Sequence, residues 1–355
     1  MTMLDWRNHI KRYLLLTPLL MTACSPLYVL EAAYNQSGIL LRRQPIDTAI
    51  SSPEATPNEV QKLSLVKEAR EYAISIGLKP GDSFTKYSRV SSDVLAWVLM
   101  AARKDSFSLH TWWFPIVGSV PYKGYFDKED AQCAGRGLER DGYETYIRGT
   151  DAFSTLGWFN DPILSTTLRH SETRIVNTVL HESLHSTVWI PGHVPFNESA
   201  ANFVGAQTSI AFFQAKCRST PEMCALAEQA RLEKDREFEL AAVIQKLYQD
   251  LEALYSSGKS EAQILAERQN AFDASLAPVR QRYPQMKILR EINNAEIMQL
   301  KVYMTELQLF ERLFVHVGKS WPKFVSALSD IADQMGKEQT DPYALLKEKI
   351  SEKTL

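Results

Sequence analysis

His181-Glu182-Ser183-Leu184-His185 constrains this chain more than any other run of residues. Two histidines four positions apart on a helix lie one above the other on one face, close enough to meet at one point. The flanks agree. Ile175, Val176, Val179, Leu180 and Leu184 form an apolar stripe at helical spacing, and Pro191-Gly192 ends the run. Such a helix points both imidazoles at one ion. Zinc takes histidine nitrogens at about 2.0–2.1 Å and in catalytic sites leaves one position to water. Glu182, adjacent to His181, is placed to act on that water as general base. The H-E-x-x-H spacing therefore supplies two ligands, His181 and His185, and a base.

A catalytic zinc asks for a third protein ligand. After Pro191-Gly192 turns the chain, Asn197 reads as the cap of a second helix packed antiparallel to the first. Glu198, in its first turn, then faces back toward His185 and is the expected ligand. His193 is the rival, but it sits in the turn beyond the first helix's end. The longer H-E-x-x-H-x-x-G-x-x-H pattern is absent, because Val188 and Pro191 stand at its Gly and third His.

The N-terminus reads as an address. Arg7, Lys11 and Arg12 form a positive n-region, and Tyr13 to Met21 an apolar stretch too short to span a bilayer. Leu20-Met21-Thr22-Ala23-Cys24 resembles a bacterial lipobox, with Cys24 as lipidated mature N-terminus. Ser25, rather than Asp, resembles the outer-membrane sorting pattern of Gram-negative cells. The expected location is the cell envelope, lipid-anchored at the outer membrane and facing the periplasm. Removing residues 1–23 takes away three basic residues and one acidic, so the net charge of -2 becomes -4. Neither value offers the basic field that nucleic acid requires. The 355 residues, 45% apolar and 23% charged, exclude a disordered chain and are ample for a core.

Four cysteines are too few for a disulfide scaffold. In an oxidising compartment Cys217 and Cys224, which flank a turn-like Arg-Ser-Thr-Pro-Glu-Met, are a possible disulfide. Within one straight helix seven residues would rise about 10 Å, beyond disulfide reach. Cys133 is then unpaired and reads as a small buried hydrophobe.

Four segments follow: the signal peptide 1–23, a tether with an amphipathic stretch 24–56, an α+β part with a sheet 57–170, and a helical part 171–355. In the α+β part, residues 57–77 show helical spacing and end at Gly77 and Pro80-Gly81. Strands are expected at Val94–Ala101, Thr111–Val117, Tyr122–Phe126 and Tyr143–Ile147, with a turn over Gly118 to Pro121 and a helix from Asp127 to Arg140. In the helical part, Leu240, Ile244, Leu247, Leu251 and Leu254 step as a short coiled-coil seam. A break at Ser256-Ser257-Gly258 folds back a second helix, 260 to 283, as a hairpin. A third long helix is expected over 290–316, and Pro322 precedes a final one. The fold class is α+β and zincin-like, with a mixed sheet beside the metal helix and a mostly helical C-terminal half holding the hairpin.

Several blocks together resemble the bacterial predicted aminopeptidases, a group of zinc-dependent lipoprotein peptidases. They are the lipobox, Arg42-Arg43-Gln44-Pro45-Ile46, the run from Trp113 to Gly118, the run from Val120 to Phe126, the run from Ser154 to Pro162, His181 to His185, Phe196-Asn197-Glu198-Ser199, and Asn293-Asn294-Ala295. The resemblance covers most of the mature chain. The chain departs from the pattern where members often carry Cys beside Trp-Phe-Pro, having Trp112-Trp113 and Ser119. It departs again after the second helix's Phe-Val, having Gly205 where a Glu is common. The Gly-x-Met-Glu-Asn block that holds the substrate amine in one large aminopeptidase class is absent. Tyr303 resembles a recurrent family Tyr and is the candidate electrophile for the oxyanion. Tyr122–Phe126 and Ser154–Phe159 are candidate strand edges for an extended peptide. The resemblance thus implies a lipid-anchored Zn2+ peptidase acting on peptides, most simply an aminopeptidase. The competing reading is a non-enzymatic envelope lipoprotein with a structural zinc and a partner-binding hairpin; it has no use for Glu182, because a structural site needs ligands but no base.

Overall fold

The computed structural model describes residues 41–114, 118–150, 162–286, 292–336 and 340–351. The signal segment, Cys24, the tether as far as residue 40 and the Ser154–Phe159 block lie outside the described residues.

Strand β1 (Gln44–Pro45) and a short helix α1 (Ile46–Ile50) lead into α2 (Pro57–Ser75). A capping box starts α2: Thr56 accepts from the Glu59 amide, and the Glu59 carboxylate accepts from the Thr56 amide. Strand β2 (Lys86–Ser88) pairs antiparallel with β1. The eight-residue β3 (Ala96–Arg103) follows, then a ribbon of β4 (Trp112–Phe114) and β5 (Gly118–Val120). Next come β6 (Lys123–Tyr125), α3 (Lys128–Arg140), β7 (Tyr143–Thr150) and β8 (Ile163–Leu164). The strands divide among three small sheets: a mixed β1-β2-β8, an antiparallel β6-β3-β7, and the ribbon. Gly118 to Val120, expected as a turn, is strand, because its backbone pairs with Trp112 to Phe114.

Alternation along β7 sorts its side chains onto two faces. Thr145 and Ile147 face α3, where Gly135 allows close approach: a Cβ there would lie 3.3 Å from Ile147. Ala131 and Gly135 are the buried positions of α3, and Cys133, two residues round the helix, is exposed. It is not the buried hydrophobe expected of it.

The remainder is helical: α4 (Glu172–His185), α5 (Val194–Cys217), α6 (Glu222–Tyr255), α7 (Glu261–Arg282), α8 (Asn294–Met304), α9 (Leu307–His316), α10 (Trp321–Met335) and α11 (Pro342–Ser351). Cys217 and Cys224 are disulfide-bonded across the turn joining α5 to α6. The seam residues Leu240, Ile244, Leu247 and Leu251 are buried against Phe272, Leu276 and Val279 of α7 and against Ile292 and Ile297. The hairpin seam is therefore filled by the chain itself. No helix among the described residues is long and apolar enough to cross a membrane.

The helix expected over 290–316 is two helices. Glu306 adopts a left-handed φ of 53°, and the Thr305 amide donates to Ser199 Oγ at 3.0 Å instead of continuing the helix. No Gly or Pro marks the break; a hydrogen bond from α5 makes it. Pro322 lies in the first turn of α10 rather than ahead of a last helix, and α11 follows.

The largest core joins both halves of the chain. Val66, Ala69 and Ala73 of α2 pack with Ile175, Val176, Val179 and Leu180 of α4, Phe203 and Phe213 of α5, and Phe310 and Phe324 beyond. At about 1.5–3 kcal/mol for each fully buried large side chain, this face fixes α4 and α5 against each other. Gly205 sets their separation: a Cβ there would lie 2.6 Å from Asn177 Oδ1, 3.0 Å from Asn177 O and 3.2 Å from His181 Cβ. Gly205→Ala should therefore cost about 1–3 kcal/mol, as overpacking does. It should also weaken metal binding by displacing His181. Thermal unfolding and a metal titration on one preparation check both; an unchanged Tm would refute the tight crossing.

Candidate metal centre

Ser171 begins α4 by accepting from the Arg174 amide at 3.3 Å. The apolar stripe enters the core and leaves His181, Glu182 and His185 together on the helix's half-buried side. The two imidazoles meet edge to face, 4.8 Å between centroids, with their Nε2 atoms 3.1 Å apart. Trp189 sets its ring edge-on to His185 at 5.4 Å.

The turn after α4 is closed by a latch. Asn197 Nδ2 donates to Ile190 O at 2.8 Å, and the Ile190 amide donates to Asn197 Oδ1 at 3.0 Å. Asn197 was expected to cap α5. It lies inside the first turn instead, at 3% exposure, and His193 is the cap residue. The latch fixes the direction of the next side chain. Glu198 Oε2 lies 3.3 Å from His181 Nε2 and 3.5 Å from His185 Nε2. One ligand-type atom from each of these three residues falls within 4.8 Å of the other two. His193, the rival, is not in this group.

Burial and charge shape the cluster. For His181 burial disfavours the charged ring, but the hydrogen bond to Glu198 and the charges of Glu182, Glu198 and Glu237 outweigh it, so its pKa is raised from the ordinary 6.5. Burial pushes the Glu198 carboxyl the other way, yet the two imidazoles hold it down at about 2. Two aromatic nitrogens and a carboxylate oxygen converging at 12–16% side-chain exposure are a donor set suited to a divalent cation of zinc's type. The residues present therefore fit such an ion. His185 Nδ1 is buried without a hydrogen-bond partner.

Tyr303 comes from the other side. Asn202, one turn after Glu198 on α5, donates to Tyr303 O at 2.7 Å and so ties the end of α8 to the ligand helix. Burial raises the Tyr303 phenol to about 12, with the charges of Glu198 and Glu182 adding to the effect. It is a neutral donor at physiological pH. Tyr122, half exposed, also acts on this phenol.

Two charged neighbours were not singled out from the sequence. Glu237 arrives from α6; burial raises its carboxyl pKa against the pull of His181, Arg174 and Arg236. Arg148 arrives from β7, with its charge acting on Tyr303. Neither carries a local signal, since each reaches the site through a long-range contact.

An α+β frame of small sheets and long helices, with a half-buried His-His-Glu cluster beside Glu182, defines the class: a protein with a candidate metal centre. A family model described as "Putative aminopeptidase" matches residues 27–342. That is most of the chain, and the chain belongs to this family, whose name is that of a peptide hydrolase. Comparison with curated proteins and with solved structures finds no match.

Metal must displace the proton held by a histidine ligand, so affinity follows pH. Zinc affinity should fall about tenfold per pH unit for each imidazole protonated, starting from above 6.5 for His181. Glu198, ionised down to about 2, takes up no proton in that window. Glu198→Gln should weaken binding by more than the roughly 10–100-fold that loss of an outer-sphere partner costs, and, because Glu198 is among the groups that raise His181, it should move the start of the fall to lower pH. Competition with a chromophoric chelator from pH 8 to pH 5 measures both; a flat profile would contradict the assignment of imidazole ligands.

Proposed function

We propose that this chain is a zinc-dependent aminopeptidase, held at the bacterial outer membrane by lipid on Cys24 and trimming peptides in the envelope. The observation that carries the reading is Glu182 standing beside His181 while taking no part in the three-residue ligand group. A site meant only to hold a cation needs its ligands and nothing more. His181, His185 and Glu198 would hold the ion, and the zinc would lend Lewis acidity to a peptide carbonyl and to a water. Glu182 accepts the proton of the attacking water and delivers it to the departing amine. Tyr303, neutral to about 12, donates its hydroxyl proton in a hydrogen bond to the oxygen that gains charge. Support also comes from the family name and from the hairpin seam, which the chain itself fills.

Glu182→Gln keeps shape and ligands but removes the base. On protein expressed without residues 1–24, the variant should bind about one zinc, as a three-residue site predicts, and lose about 10²–10⁴-fold in kcat. A mixed library of free and N-acetylated peptides, read by mass spectrometry, should show cleavage of the free peptides alone. Retained activity in the variant would remove Glu182 from the mechanism, and cleavage of acetylated peptides would replace aminopeptidase by endopeptidase. In the full chain, Cys24→Ser should move the protein from the membrane fraction to the soluble one.

A further inference from the structure

Strand β7 and helix α8 run side by side, and their register brings an unpaired cation to the reaction centre. At one end Glu144 Oε2 accepts from the Asn294 amide at 2.9 Å, and Asn293 Nδ2 donates to Thr145 O at 2.9 Å. Four residues along β7 from Glu144 is Arg148, a step of about 13 Å. Nine residues along α8 from Asn294 is Tyr303, also about 13 Å. The two side chains therefore arrive at the same end of the wall, where the charges of Arg148, Glu198 and Glu182 all act on the Tyr303 phenol.

Arg148 Nε is buried with no hydrogen-bond partner, and no described residue forms an ion pair with its guanidinium. The carboxylates of this wall are engaged or out of place. Glu144 is held by Arg268 and the Asn294 amide. Glu198 is held by two imidazoles. Glu296 lies two turns back on α8, where burial alone pushes its carboxyl to about 7. A guanidinium sealed on one side and left without an anion is costly unless a ligand completes it. Its fork of donors matches a carboxylate.

We propose that Arg148 binds the free α-carboxylate of the substrate, so that the preferred substrates are very short peptides whose C-terminus follows the scissile bond within a residue or two. This rests on the peptidase reading above. The Arg148 charge is felt at the Tyr303 phenol, and each further peptide residue reaches about 3.3–3.6 Å, so a carboxylate held by this guanidinium belongs within a residue or two of the scissile bond.

The test is calorimetric binding of Leu-Phe and of Leu-Phe amide to zinc-loaded Glu182→Gln protein, which binds without turnover. The free acid should bind about tenfold tighter or better, the scale of a hydrogen-bonded charge pair. Adding Arg148→Met should close that gap, and Arg148→Lys should keep part of it. Equal binding of acid and amide, or a gap that survives Arg148→Met, overturns the inference. So does failure of both dipeptides to bind. Cleavage of longer free peptides by the wild-type protein reports separately: if they are cleaved and no gap is seen, this inference fails while the peptidase reading stands.

Discussion

The separation of α4 and α5 governs the whole centre. Two of the candidate ligand atoms come from one helix and the third from the other, so an error of an ångström between the helices would leave Glu198 out of reach of one imidazole. Three features hold the crossing. Gly205 removes the Cβ that would strike Asn177 and His181. Asn197 closes the intervening turn onto Ile190. The stripe from Ile175 to Leu184, buried with Phe203 and Phe213, keeps the two faces pressed together. Each contributes modestly, but they act on the same coordinate. The charge pattern that results, with His181 raised and Glu198 lowered, marks a pocket that favours positive charge at its centre.

Helix α5 organises more than the third ligand. Glu198 faces the histidines, Ser199 accepts the Thr305 amide, and Asn202 holds Tyr303 O. These three side chains lie within about one turn and a half, so whatever positions Glu198 also positions the end of α8. The Tyr343 hydroxyl, lying 3.2 Å from Pro195 O and 3.4 Å from Thr305 O, closes the same junction from α11. The left-handed Glu306 is thus over-determined by neighbours, which is the condition under which a non-glycine residue keeps such a conformation. The break ends α8 next to Tyr303, whose phenol feels the charges of Glu198 and Glu182.

What could be read from the sequence follows the reach of its signals. His181, Glu182 and His185 declare themselves because helical period and chemistry coincide over five residues. Glu198 follows because only a short turn separates the two helices. Asn197 was misread as a cap because its side chain bonds seven residues backward, to Ile190, where cap statistics do not look. The break at Thr305 has no local cause at all; its hydrogen-bond partner Ser199 lies over a hundred residues away. Strands β1, β2 and β8 are two or three residues long, too short for any period to register. Arg148 lies one residue past the expected Tyr143–Ile147 strand, within the longer β7, and alternation alone does not tell which of its faces meets the helices.

The distribution of charge around the cleft has a consequence for orientation. Glu182, Glu198 and Glu237 act around His181, and Arg148 acts at Tyr303 on the opposing wall. A zwitterionic peptide in this field is not free to lie either way. With its carboxylate toward Arg148 it is favoured; reversed, its ammonium meets that cation and is opposed. In a half-buried cleft such terms are screened less than on open surface. A chain too long to place its C-terminus at Arg148 loses that attraction. On this reading, the cleft ranks substrates by length first and by side chain second, since the side-chain contacts on offer, Trp189 beside His185 and Tyr122 near Tyr303, are half-exposed and accommodating.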